Sequence, residues 1–451
     1  MKLMRLGMVL VLGLLAVNLV LAQSLEPKPT DACFERFQPV KAPGPAGLVL
    51  KRGDRVAICG DSITEQKMYS RLIEDYLTMC VPELNVSVRQ YGWNGEKAVG
   101  FLARMTNDCL RFRPTVATTC YGMNDHEYRP YEGRIGRAYR ESSIAVVEAF
   151  KAKGTRVIEG SPGCVGKVPG WVKNANGTVE DLNLSLCELR NIGIEIAEKE
   201  KAGFADVFWP MLTAGVLAQR EYGTNYAIAG RDGVHPGWAG HTVMAYAFLK
   251  AFGLSGDIGK FTVDIAKNRM KVSKGHKVVS AKAGEFQIRS TRYPFCACVT
   301  GNQVATHYPV CEQDDLARDS SIRSGMSLVP FNPELNRLEL VVENLDPGSY
   351  KVTWGSQSKS FTAGELGSGV NLAEEFPCNP FCVAFGKVDA AVAAKEAYET
   401  KQIKTSFHSA EAKTNMMAII KRTEKEREPL AAAIRTAFVP VTHTLSIQKA
   451  E

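Results

Sequence analysis

Residues 55–64 read Arg55-Val56-Ala57-Ile58-Cys59-Gly60-Asp61-Ser62-Ile63-Thr64, an apolar run that stops on a glycine and two short polar residues before a helix-like stretch. A strand followed at once by a helix is the opening half of a parallel crossover unit, and the same alternation continues downstream. Further strands are expected over 85–89, 115–121, 155–159 and 205–209, and helices over 68–79, 139–151, 181–200 and 239–252. Five strands with intervening helices predict a three-layer α/β unit over residues 23–255, and such sheets bind ligands at the carboxyl ends of their strands.

Beyond Gly256 the texture changes to alternating Thr, Val, Lys and Gly. Runs at 271–281, 286–290, 337–343 and 350–354, with turn residues at 344–348, predict a small antiparallel β-sandwich over 256–365. The stretch 388–436 is rich in Ala, Lys and Glu and poor in Gly. It predicts a helical extension over 366–451, two helices broken before or at Pro429.

The chain has 451 residues, of which 45% are apolar, enough for a sizeable core and too many for a disordered tail. Lys and Arg number 55 against 48 Asp and Glu, a net charge of +7 with no basic run to grip nucleic acid. Lys2 and Arg5, the apolar stretch from Leu6 to Leu21 and the small-residue site at Val20-Leu21-Ala22 form an export leader, residues 1–22. The mature chain, from Gln23, is therefore expected outside the cytoplasm, without stable membrane insertion. Export permits disulfides among the twelve cysteines. Cys298 with Cys311, Cys164 with Cys187 and Cys378 with Cys382 are the sequence-near pairs. Cys59 and Cys120 read as buried thiols, and Cys296-Ala297-Cys298 lacks the partners of a zinc site.

Three more polar segments each follow a predicted strand: Gly92-Trp93-Asn94-Gly95, Tyr121-Gly122-Met123-Asn124-Asp125 and Asp232-Gly233-Val234-His235-Pro236. A serine nucleophile needs a base, a group that orients the base, and donors for an oxyanion. Ser62 can be the nucleophile, His235 the base, and Asp232 the group holding the imidazole. The backbone N–H groups of Ser62 and Gly95 and the Asn124 amide can serve the oxyanion. Read alone, the Gly-Asp-Ser turn is equally a strand-to-helix turn with Ser62 as its N-cap.

Together the four segments resemble the conserved blocks of the SGNH (GDSL-like) hydrolase superfamily over residues 54–252. The resemblance implies a flavodoxin-like sheet and acyl-ester hydrolysis with no metal or organic cofactor, with Ser62, Gly95, Asn124, Asp232 and His235 in the family's positions. Glu96 stands where the family often has Asp or Ser, which leaves Gly92 and Gly95 both open as the oxyanion glycine. The segments around Cys120 to Tyr131 and Phe376 to Phe381 resemble exported members from environmental bacteria such as planctomycetes. In those members the acyl group is often acetate on a polysaccharide or oligosaccharide, and the expected partner of this chain is a small-molecule or glycan ester substrate. A lipid or thioester hydrolase shares the same chemistry, and a silent carbohydrate-binding protein is the reading from another class. His126, Glu127, Tyr128 and Arg129 are candidates for a subsite wall, Trp93, Trp171 and Trp238 for sugar stacking, and the glycine-rich loop 162–177 for a lid or a plain surface insertion.

Overall fold

The computed structural model describes residues 24–297 and 316–450. The expected leader, together with Cys298 and Cys311, lies outside the described residues. Strands β1 (Arg55–Gly60), β2 (Ser87–Gln90), β3 (Val116–Cys120), β4 (Arg156–Gly160) and β5 (Gly203–Ala205) pair in parallel in the order β2-β1-β3-β4-β5. This is the flavodoxin-like order, with its crevice at the carboxyl ends of β1 and β3.

Helices α1 (Ser62–Glu65), α2 (Tyr69–Met79), α3 (Ala98–Asp108), α4 (Gly133–Lys151), α5 (Val179–Glu200), α6 (Phe208–Tyr222) and α7 (Trp238–Ala251) complete this unit. Successive side chains of a strand face opposite ways. Val56 and Ile58 therefore join the core with α2 and α7, whereas Ala57 and Cys59 join the core with α3, α4 and α5. Two expectations shift. The fifth strand stops at Ala205, because the Ser161 hydroxyl accepts the N–H groups of Val207 and Phe208, both at 2.9 Å, and turns the chain into α6. Helices α3 and α6 were not among the expected helices.

The second half forms two sheets. Strands β6 (Asp257–Asp264), β7 (Arg269–Val272), β10 (Arg337–Glu343) and β13 (Val370–Asn371) make one, in the order β13-β10-β6-β7. Strands β8 (His276–Lys282), β9 (Glu285–Ser290), β11 (Ser349–Trp354), β12 (Gln357–Thr362) and β14 (Val441–Lys449) make the other, in the order β12-β11-β14-β9-β8. Phe261 of β6 packs edge-on against the His276 ring of β8, with centroids 5.1 Å apart, so the sheets face each other.

The expected helical extension is only partly helical: after helices Cys382–Lys401 and Ala410–Ala437, the chain returns as β14 between β11 and β9. The alternating burial of His443, Leu445 and Ile447 fits that inner position. The helix break also moves. Pro429 lies on an exposed stretch inside the second helix, and the break falls at 402–409, where Ser409 caps the new helix through Ala412 N–H. The cysteine pairs change as well. Cys164 and Cys187 are free, buried thiols. Cys378 is disulfide-bonded while Cys382 keeps a thiol that donates to the Pro377 carbonyl, so those two do not pair with each other.

Strand β2 is the edge of the parallel sheet, and an uncovered edge invites foreign strands. Here the helix Cys382–Lys401 covers it. Lys395 donates from Nζ to the Val88 carbonyl at 2.6 Å, and Glu399 accepts the Gln90 N–H at 3.2 Å. The buried Lys395 ammonium is matched by Glu74 at 2.7 Å and Glu399 at 3.3 Å. Next to it, Arg71 of α2 pairs with Asp389. Burial, and then the Asp389 carboxylate, push the Asp75 carboxyl well above the usual range. A carboxyl raised in the folded state adds stability below its unfolded value and loses it as pH rises through its folded value. In thermal melts from about pH 5 to about pH 8, Asp75→Asn should lose less Tm with rising pH than the wild type does.

Candidate active site

Each expected site residue lies just past the carboxyl end of a strand or in the loop before α7. Ser62 opens α1 directly after β1. It is not the cap of that helix: Asp61 is, its Oδ1 accepting the Ile63 N–H at 2.9 Å. The Ser62 hydroxyl is therefore left for other partners. It lies 2.8 Å from His235 Nε2, and His235 Nδ1 lies 2.6 Å from Asp232 Oδ2. The other Asp232 oxygen accepts the N–H groups of Val234 and His235, both at 2.9 Å. Burial raises the Asp232 carboxyl, but the backbone and ring bonds from His235 and the Val234 N–H outweigh it and hold it below the usual range. An ionised carboxylate only accepts, so Nδ1 carries the ring proton and Nε2 faces Ser62 as an acceptor.

The two glycines of the β2 loop separate cleanly. Gly92 donates its N–H to Gln90 Oε1 at 2.9 Å, and a Cβ there would lie 2.2 Å from the Glu65 nitrogen, so it serves close packing against α1. Gly95 is exposed at φ +69° in the turn closed by Glu96 N–H to Trp93 O at 3.3 Å, a conformation that favours glycine. Glu96, the departure from the family pattern, anchors this turn. It accepts Nε and Nη2 of the buried Arg104, both at 2.6 Å, and the Tyr121 hydroxyl at 3.0 Å.

Asn124 donates from Nδ2 to the Glu96 carbonyl at 3.1 Å and faces Asp61 Oδ2 at 3.4 Å, while its Oδ1 accepts the Tyr128 hydroxyl at 3.2 Å. Asp125 braces the same turn by accepting the N–H groups of Gly122 and Ala98 at 3.0 and 3.1 Å.

The remaining candidates divide. His126 is fully buried, its Nδ1 2.5 Å from the Met123 carbonyl, and burial pushes its pKa down to about 4. Glu127 pairs with Lys97 and Arg134, at 2.9 and 2.8 Å. Trp238 is buried, and Trp93 is flanked by Lys404, Arg104 and His408. Trp171 is 53% exposed, with its ring 5.8 Å from His235 and 5.6 Å from Tyr128. The loop that carries it is pinned at both ends, by Gly166 N–H to the Gly233 carbonyl and by Asn176 N–H to the Tyr128 carbonyl, both at 2.9 Å. Sequence reasoning missed Asp61 as the helix cap, and it missed Glu65 and Lys404, which meet beside Asn94 at 2.7 Å.

Residues 58–243 match the family model of the GDSL-like lipase/acylhydrolase family. The α/β unit is a GDSL-like acylhydrolase domain. Its chemistry is carboxylic ester hydrolysis. No curated protein matches the chain. Among solved structures, the chain is similar to BT4096, a gut microbial diltiazem-metabolizing enzyme, at 22% identity and a TM-score of 0.69 over 90% of this chain and all of that one. This likeness extends the shared fold past the acylhydrolase domain. Matches to Axe2, an acetylxylan esterase from Geobacillus stearothermophilus, and to LAE5, an alpha/beta hydrolase enzyme from the metagenome of Lake Arreo, Spain, cover 46% of this chain. They stand at 20% and 21% identity, with TM-scores of 0.37 and 0.36 and 97% and 98% of those chains covered.

Within the acylhydrolase domain Asp61 has two tasks, capping α1 and facing Asn124. Burial pushes its carboxyl up to about 7, with Asp125 and Glu96 adding and the Ile63 N–H opposing. Asp61→Ala should cost about 1 kcal/mol of unfolding free energy through the lost cap, and Asp61→Asn, which keeps a capping oxygen, should restore most of it. Urea denaturation of the three proteins checks this.

Proposed function

We propose that the chain is an exported serine esterase that removes acyl groups, acetyl foremost, from carbohydrate esters through an acyl-enzyme. The observation that carries this reading is the line from Ser62 Oγ to His235 Nε2 at 2.8 Å and from His235 Nδ1 to Asp232 at 2.6 Å. In the proposed course, Ser62 Oγ attacks the ester carbonyl while its proton passes to Nε2. The oxyanion takes hydrogen bonds from the N–H groups of Ser62 and Gly95 and from Asn124 Nδ2, which gives up its longer contact to Asp61. Imidazolium then protonates the departing alcohol oxygen, leaving the acyl group on Ser62. Water, deprotonated by His235, attacks that acyl group; the bond to Ser62 Oγ breaks, the imidazolium returns its proton to Oγ, and the carboxylic acid leaves.

The carbohydrate part of the reading is supported by Trp171. An exposed indole fixed next to His235 offers an apolar face to a ring bound at the site, with its polar rim left to water. Export is supported by the leader pattern of residues 1–22.

Hydrolysis of p-nitrophenyl acetate and of an acetylated xylooligosaccharide by the wild type, Ser62→Ala and Trp171→Ala tests both parts. Ser62→Ala should abolish turnover of either ester. Trp171→Ala should raise KM for the oligosaccharide by about tenfold, as expected for losing a stacking contact of about 1.4 kcal/mol, and leave the nitrophenyl ester nearly unchanged. Full activity in Ser62→Ala contradicts the mechanism, and an equal effect of Trp171→Ala on both esters contradicts the sugar subsite.

A further inference from the structure

Glu65 ends the helix that Ser62 begins, and its carboxylate accepts the Asn94 backbone N–H at 2.5 Å, one residue before Gly95. The same carboxylate accepts the Lys404 ammonium at 2.7 and 2.8 Å, and Lys404 Nζ donates in addition to Asn94 Oδ1 at 2.7 Å. The ammonium stands 5.3 Å from the centre of the Trp93 ring, and the His408 ring meets that indole edge-on at 5.1 Å. His408 Nε2 in turn lies 3.0 Å from Asp108, which pairs with Arg104 at 3.3 Å. Arg104 also stacks on Trp93 at 4.9 Å and holds Glu96. The Trp93–Glu96 turn is thus gripped by Arg104 on one side and by the C-terminal segment on the other.

Lys404 comes from Gln402–Ser406, a π-helical turn between the two C-terminal helices. A π turn is rare and is frequently found at functional sites. With Lys404 and Glu65 only about one quarter exposed, their attraction is screened less than that of a surface pair.

We propose that Lys404 is a positioning residue, which locks the Gly95 turn against the nucleophile helix so that the Gly95 N–H is held in place before an ester arrives. The proposal rests on the esterase reading, in which Gly95 is an oxyanion donor. Donors placed in advance lower the barrier to the reaction, and a displacement of about 1 Å costs up to about 10²-fold in rate. A binding effect would instead appear in KM.

The test uses the full chain, with Lys404→Ala and Lys404→Arg, and two readouts: kcat and KM on p-nitrophenyl acetate, and amide hydrogen exchange. Lys404→Ala should lower kcat about tenfold with KM within about twofold, and speed exchange at Asn94 and Gly95 by a similar factor. Lys404→Arg, which keeps the charge and the donors, should recover most of both. An unchanged kcat, or unchanged exchange at residues 94–95, overturns the proposal. Faster exchange spread through β9 and β14 signals a folding defect and overturns it too. Absence of ester turnover in the wild type defeats the esterase reading, and local exchange at 94–95 then decides by itself whether Lys404 holds the turn.

Discussion

One oxygen of the Asp61 carboxylate accepts the Ile63 N–H at 2.9 Å and the other faces the Asn124 side-chain amide at 3.4 Å, so a single buried group joins the end of β1 to the end of β3. Because Asp61 caps α1, Ser62 is relieved of that task and its hydroxyl can turn to His235. Because Asp61 also faces Asn124, α1 and the amide beside it hold one spacing. The parallel sheet sets the two strand ends side by side. The carboxylate converts that adjacency into a fixed distance between functional groups, and its burial is what this costs.

The C-terminal segment acts on the same region from the outside. Its first helix satisfies the backbone of edge strand β2 through Lys395 and Glu399, and the turn that follows brings Lys404 and His408 onto the loop that leaves β2. The chain then runs back and ends as an inner strand of the second half. The acylhydrolase domain and the second half are thereby tied by one covalent path that touches both, and the loop that leaves β2 is braced by Lys404, 310 residues further along from Asn94.

What was legible in the sequence follows from how far each interaction reaches. Ser62 and Asn124 lie in short polar segments directly after strands, so strand ends were enough to gather those two, whereas Asp232 and His235 lie in the loop between α6 and α7. Asp232 and His235 sit three residues apart, and their bond is local. Lys404 was illegible because its partners Glu65 and Asn94 lie 339 and 310 residues away, and nothing in the Ala, Lys and Glu-rich stretch around it marks one lysine from the next. Strand β14 carries a period-two signal in His443, Leu445 and Ile447, but helical composition upstream masked it. Pro429 misled for a physical reason: it is exposed, where a helix tolerates a missing donor better than in its buried face. The pairs Cys164 with Cys187 and Cys378 with Cys382 failed because nearness in sequence says little about nearness in space. The family departure at Glu96 left Gly92 and Gly95 undecided, and that question needed coordinates to show the Gly92 N–H already bound to Gln90.

The central claim is that His235 and Asp232 make one serine hydroxyl, that of Ser62, a nucleophile. Labelling the full chain with a fluorophosphonate, followed by intact-mass and peptide mapping, tests it without choosing a substrate. The account predicts one phosphonate per chain, on the peptide containing Ser62, and none in His235→Ala. An unlabelled wild type, or label on another serine, would contradict it.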